Sequence, residues 1–283
     1  MTQHRTRSTL GTLGAEAVAT ALLMIGGLTA VILVVSPTGP LAGLDVAGWA
    51  RRFVAGGLFG LSGTAASLSR WGRRSGAHLN PAVTLAFRVE GTISTALATG
   101  YVLAQTTGAI AGAAVVRLWG PWGRGVRWGA TVPEVGLAAW QAAGLEALVT
   151  FALVALVLAM AARPTIRHLT PWVMGPLYAV LVAIEAPLTG TSSNPARSLG
   201  PAVVTWTWRE GWVYWVGPAV GALVAVAVLH LVTRHRVGQA RLVYDRLLVD
   251  AEHLAADLLA DLRPHVSRHR TYGTVGSNLR NRR

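Results

Sequence analysis

The sequence of 283 residues contains no cysteine and no lysine, and only 12 aspartates and glutamates. Without cysteine there are no disulfides, no thiolate metal sites and no cysteine nucleophile. Charged residues make up 13% of the chain, against roughly a quarter in an average soluble domain. A solvated charged surface over most of the molecule is therefore excluded. The net charge of +13 comes entirely from arginine. Such a balance can signal nucleic-acid binding, but these arginines cluster just outside long apolar runs. Membrane topology accounts for them, and no nucleic-acid partner is expected. No Ser-His-acid set, phosphate loop or group of metal ligands stands out, so no enzyme, no metal and no cofactor is expected.

Hydrophobic residues are abundant: 52% of the chain, with a mean hydropathy of +0.46. A bilayer-spanning helix needs about 20 mostly apolar residues. Six segments meet this, at about 13–35, 53–69, 93–118, 139–161, 172–190 and 212–233. The first is longer than a signal-peptide core and five more follow it, so it reads as a span. With both termini inside, inner segments carry 18 arginines and outer segments 7, and ten of the 18 lie after residue 233. The positive-inside rule then places both termini in the cytoplasm of a plasma (inner) membrane protein.

Between these spans lie two copies of one signature, Asn80-Pro81-Ala82 and Asn194-Pro195-Ala196, 114 positions apart. Asn is a favoured N-cap, and Pro at the first helical position has a suitable φ and no N–H to leave unpaired. Each marks a helix start, yet neither is followed by enough apolar residues to cross a bilayer. The fold expected is an all-α membrane protein with six transmembrane helices and two re-entrant half-helices. One half-helix follows the second span of each set of three. Three spans per repeat force the second half to insert upside down, so residues 10–118 and 119–233 form an inverted repeat after a short N-terminus, 1–9. Inverted repeats with broken helices are a recurrent way to build a solute path through a membrane. Glu16 and Glu146 recur at matching places in the first and fourth spans, each a lone carboxylate in an apolar run, where a partner is needed. Such carboxylates can accept from the unpaired N–H groups of a re-entrant loop. His78 reads as a further hydrogen-bonding support of the first loop. Gly108 and Gly112 read as a close helix contact.

With these residues in view, the chain resembles the major intrinsic protein family, the aquaporins and aquaglyceroporins. The resemblance covers about residues 10–233 and rests on both Asn-Pro-Ala loops, Arg197 three residues after Asn194, Glu16, Glu146, and the run Tyr101 to Gln105. It implies a homotetramer of right-handed six-helix bundles, each with its own pore for water and small neutral solutes. By family spacing the selectivity filter would be Gly60, Val182, Thr191 and Arg197. Water-selective members carry Phe and His at the first two of these places, so smaller groups here imply a wider opening for glycerol, urea or neutral metalloid acids. Phe59 stands next to Gly60, and a slip of one residue would restore an aromatic. Ser198, Ala202, Tyr214 and Trp215 resemble the water branch instead.

Three functions follow as alternatives: a passive channel for water and small uncharged solutes that excludes ions and protons, a strict water channel, and a secondary transporter with coupled ion movement. Only the last needs a titrating group on the pathway. Residues 234–283 form a tail outside the common core. Within it, 240–262 repeats apolar residues at spacings of three and four, which predicts an amphipathic helix, and 265–283 reads as basic and disordered.

Overall fold

The computed structural model describes residues 2–232 and 237–243, with side chains from residue 9 onward. Among the described residues the regular structure is helical. The long helices are α1 (Thr2–Val35), α2 (Gly48–Leu68), α5 (Thr95–Val116), α7 (Ala139–Ala161), α8 (Thr170–Glu185) and α10 (Val213–Val232). Two half-helices, α4 (Pro81–Val89) and α9 (Pro195–Thr205), and two short helices, α3 (Arg70–Ser75) and α6 (Gly120–Arg124), lie between them. Each predicted span therefore coincides with a long helix. Four helical segments have the length and apolarity to cross a membrane: Thr9–Val35, Thr95–Arg124, Ala139–Ala161 and Val213–Val232. The fifth predicted span, 172–190, loses its last turn. α8 ends at Glu185 because Pro187 and Gly190 follow, the latter at φ +91°, a conformation suited to glycine.

Small residues decide which helices touch. A Cβ at Gly108 would collide with the Ala17 carbonyl, and one at Gly112 with Ala21 and Met24, so α5 lies backbone-close on α1. The second half repeats the device: Gly217 and Gly221 of α10 meet Ala143 and Ala147 of α7. Gly56 and Gly60 press α2 onto the Tyr178 and Met174 carbonyls of α8. In a bilayer, where water drives no helix together, such close approach supplies much of the attraction between helices. Large apolar side chains such as Leu103, Leu148, Ile184 and Leu231 are left on the outside, which suits hydrocarbon and not water. The sense of the chain puts the start of α1 and the end of α10 on one face, here the termini face. The turns after α1 and α7 begin on opposite sides, and the two half-helix loops enter from opposite faces.

The helix predicted over 240–262 does not begin in that register. Residues 237–243 are non-helical and packed into the main body, with Val237, Leu242 and Val243 buried. The Leu242 N–H donates to the Gly76 carbonyl at 2.8 Å and cannot serve a helix. The remainder of that expectation, 244–262, and the disorder expected for 265–283 lie outside the described residues.

Candidate functional site

The two Asn-Pro-Ala loops share one backbone path. Gly76 and Gly190 both have φ +91°, and Ala77, Leu79, Thr191 and Ser193 all have φ between 47° and 55°. Thus the residues four, three and one before each asparagine are left-handed in both halves. For a non-glycine residue that conformation costs on the order of 1–3 kcal/mol and persists where the surroundings impose it.

The imposing groups are the two buried glutamates. Glu16 Oε1 accepts from the Leu79 N–H at 2.6 Å and from Gln105 Nε2 at 2.9 Å. Glu146 accepts from the Ser192 N–H at 2.9 Å on Oε1, from the Ser193 N–H at 2.8 Å on Oε2, and from Thr189 Oγ1 at 2.6 Å. Both side chains are fully buried, and among the lining residues of the two cavities described below neither occurs. Glu185, which from sequence could line the pathway or cap the loop before Pro187, shares the Thr189 hydroxyl with Glu146. His78 is also buried. Its Nδ1 lies 3.1 Å from Thr84 Oγ1, its Nε2 lies 2.8 Å from the Ala240 carbonyl, and its ring packs between Phe87 and Tyr101. Because a carbonyl only accepts, Nε2 carries a proton and donates to Ala240.

The half-helices meet start to start. Asn80 Oδ1 accepts from the Ala82 N–H at 2.8 Å, and Asn194 Oδ1 accepts from the Ala196 and Arg197 N–H groups at 3.1 and 3.2 Å. These are N-cap bonds, with Pro81 and Pro195 at the first helical position and Ala82 and Ala196 buried behind them. Each carboxamide then reaches across. Asn80 Nδ2 donates to the Ser193 carbonyl at 2.8 Å, and Asn194 Nδ2 donates to the Leu79 carbonyl at 2.9 Å. An amide nitrogen has two hydrogens, so one donor locks the loops together and the other has no partner among the described residues. Both asparagines line a narrow cavity of about 40 Å³ with Leu23, Val83, Leu153 and Tyr178 on its walls. Each half-helix start carries the equivalent of roughly half a positive charge. Two such ends and two amide donors therefore face one small, mostly apolar space.

A larger cavity of about 240 Å³ opens on the opposite face, lined among others by Phe59, Val182, Thr191 and Arg197. Arg197 is buried, donates to the Gly129 carbonyl at 2.6 Å, and places its guanidinium 5.5 Å from the centre of the Phe59 ring. Gly129 has φ +80°, and a Cβ there would strike Leu28. Glycine thus lets the 120–131 loop bring a carbonyl to the arginine. Val182 and Thr191 stand in this wall with Arg197. Gly60 does not; it lines the narrow cavity one station further in, flush against Met174 and Gly175. The register of α2 is set by packing: Gly56 and Gly60, four apart, both face α8, which turns Phe59 toward Arg197. Counting back from Asn80 could not see this, because contact with α8 sets the register.

Sequence reasoning gave no role to Gln105, Thr84 and Tyr178. Gln105 Nε2 bridges Glu16 to Thr84, and the Tyr178 hydroxyl lies 2.9 Å from Ser193 Oγ. A lone glutamine in an apolar helix is a signal of the same kind as a lone glutamate, and could have been read that way.

The chain is similar to known proteins in sequence and in fold. Residues 3–229 match the sequence profile of the family described as major intrinsic protein. Aquaporin TIP3-1 of Zea mays is 36% identical over 184 residues, 64% of this chain, and the match spans 63% of the maize protein's length. Probable aquaporin TIP2-2 of Oryza sativa subsp. japonica is 34% identical over 224 residues, 77% of this chain and 85% of the rice protein. In fold, the chain is similar to the aquaglyceroporin from Plasmodium falciparum, with a TM-score of 0.66 at 21% identity, over 86% of this chain and 99% of that one. Six helices and two opposed half-helices in one inverted repeat, joined to a match over nearly the whole helical body, place this integral membrane protein in the major intrinsic protein family.

Proposed function

We propose that this chain is a passive channel for water and small uncharged solutes that excludes ions and protons. The observation that carries the reading is the pair Asn80 and Asn194, each tied to the other loop and each with a spare donor in one narrow cavity at the meeting of two helix starts. A water or hydroxyl oxygen can accept from both amides. A cation there meets two positive dipole ends and loses its hydration shell in an apolar tube, which is costly. Waters held oxygen-inward toward both amides point their hydrogens away on either side, which breaks a proton-hopping chain.

Phe59, Val182, Thr191 and Arg197 form the selective ring of this proposal, with Gly60 widening the lumen just beyond it. The ring is amphipathic. Arg197 and Thr191 serve hydroxyl oxygens, while Phe59 and Val182 receive carbon. Such a ring suits glycerol and comparable polar molecules, urea and neutral metalloid acids among them, as well as water. The aromatic face of Phe59 beside Arg197 favours a second reading, a strict water channel. Stopped-flow light scattering on proteoliposomes separates them: the first predicts glycerol entry faster than in empty vesicles, and its absence alongside fast water flux establishes the second. Coupled transport is disfavoured by the placement of Glu16 and Glu146, which are spent on loop N–H groups behind the wall. Solute accumulation driven by an ion gradient would reverse that judgement. The proposal further takes the protein to be a homotetramer in the plasma membrane with its termini face in the cytoplasm.

A further inference from the structure

The narrow cavity is bounded on the termini side by a residue from outside the helical bundle. Leu242 lines it together with Ser67, His78, Asn80 and Asn194. Leu242 belongs to the stretch 237–243, which follows the last helix and lies across the mouth of the pathway.

Several independent contacts seat this strap. The Leu242 N–H donates to the Gly76 carbonyl at 2.8 Å. His78 Nε2–H donates to the Ala240 carbonyl at 2.8 Å. The Arg241 guanidinium donates through Nη2 to the Arg73 carbonyl and through Nε to the Val243 carbonyl at 3.2 Å. Val237, Leu242 and Val243 are 5%, 5% and 2% exposed, and they join the cluster that includes Leu79 and Val83 of the first re-entrant loop and half-helix. The seat is shaped for backbone: a Cβ at Gly76 would come within 3.1 Å of Arg241 Cγ and 3.2 Å of the Ala240 carbonyl. The strap thus pairs with the loop that carries Asn80 and presents one isobutyl group to the lumen.

We propose that residues 237–243 are a built-in plug of the termini-side mouth, with Leu242 as the stopper and Gly76, His78 and Arg73 as its seat. This rests on the channel reading above. A leucine in the path offers no hydrogen bond to a passing water, so a water beside it gives up partners that the amides of Asn80 and Asn194 otherwise supply. The hold is a few hydrogen bonds and three small apolar side chains. Such a segment belongs to the part of a structure that opens locally at far less free energy than global unfolding. The seated strap throttles the pore, and release opens it.

Two experiments on the full-length chain test this. In proteoliposomes, Leu242→Asp places a charge in the apolar seat and ejects the strap. Water and glycerol fluxes per protein should rise several-fold over the parent. Equal fluxes in parent and variant, both well above empty vesicles, would overturn the plug and leave the channel standing. If neither chain exceeds empty vesicles, the channel reading itself fails and the plug with it. The second experiment uses the absence of cysteine. Leu242→Cys and Gly238→Cys each carry a single thiol, the first buried and the second on an exposed position of the same strap. A small hydrophilic thiol reagent should label Leu242→Cys about tenfold or more slowly, the ratio that a seat worth roughly 1.4 kcal/mol gives. Equal labelling rates in the folded protein would show that the strap is not seated.

Discussion

Glu16 and Glu146 occupy equivalent places in the two halves but do not use their oxygens equally, and replacing each by glutamine should separate them. Glu146 presents both oxygens to loop N–H groups, Oε1 to Ser192 and Oε2 to Ser193. A glutamine keeps one acceptor and turns an NH₂ toward the other N–H. Two donors then face each other in a buried site, at roughly 1–3 kcal/mol each, so Glu146→Gln should cost about 2–6 kcal/mol. At position 16 the accepted bonds converge on Oε1, and among the described residues Oε2 takes no protein donor. Glu16→Gln keeps Oε1 as acceptor and exchanges the unpartnered Oε2 for an unpartnered amide nitrogen, so the net cost should stay below about 1 kcal/mol. Thermal denaturation in detergent, followed by loss of soluble oligomer or monomer, reads the difference. With about 2–4 °C per kcal/mol, Glu146→Gln should melt roughly 4–24 °C below the parent and Glu16→Gln within about 4 °C of it. Equal shifts for the two variants, or the larger shift at position 16, would refute the reasoning that loop N–H groups are what these carboxylates serve.

Other consequences follow from the same contacts. Gly60→Phe should abolish folding, because any side chain at Gly60 strikes the Met174 backbone; recovery of a folded protein with lowered glycerol flux would instead put Gly60 in the ring. Phe59→Ala should raise glycerol flux more than water flux in proteoliposomes, and a proportional change in both would remove Phe59 from the selective ring. Gly217→Val should prevent α10 from seating on α7 as Gly108→Val prevents α5 from seating on α1, which expression and size-exclusion profiles in detergent would reveal as aggregated protein in both cases. Asn194→Ala removes two N-cap bonds and the bridge to Leu79; a cap alone is worth about 1 kcal/mol, and water flux should fall with it.

The architecture was legible because its signals are local. Asn-Pro starts a helix wherever it occurs, long apolar runs have the bilayer's length, and an odd number of spans per repeat fixes the inversion. The glutamates were legible as groups in need of partners, since a carboxylate in an apolar helix cannot stand alone. The lateral register of α2 was not legible. It depends on which of Gly56, Phe59 and Gly60 face α8, and that is decided by backbone contact across two helices. Residues 240–243, the start of the helix expected over 240–262, misled for a related reason. Their apolar residues continue into a helical repeat, but the Leu242 N–H and Ala240 carbonyl are taken by Gly76 and His78, residues more than 150 positions away. Periodicity reports what a segment could bury, not where.

The central claim is that two opposed helix starts pass neutral solutes and refuse charge. The most direct measurement records both in one vesicle preparation: glycerol or water entry by light scattering, and proton flux by an entrapped pH-sensitive dye under an imposed membrane potential, with Leu242→Asp alongside the parent to remove the plug. The account predicts neutral-solute entry that rises with the amount of protein while proton flux stays at the level of empty vesicles. Proton flux that rises in step with solute entry, or solute accumulated against its own gradient, would contradict it.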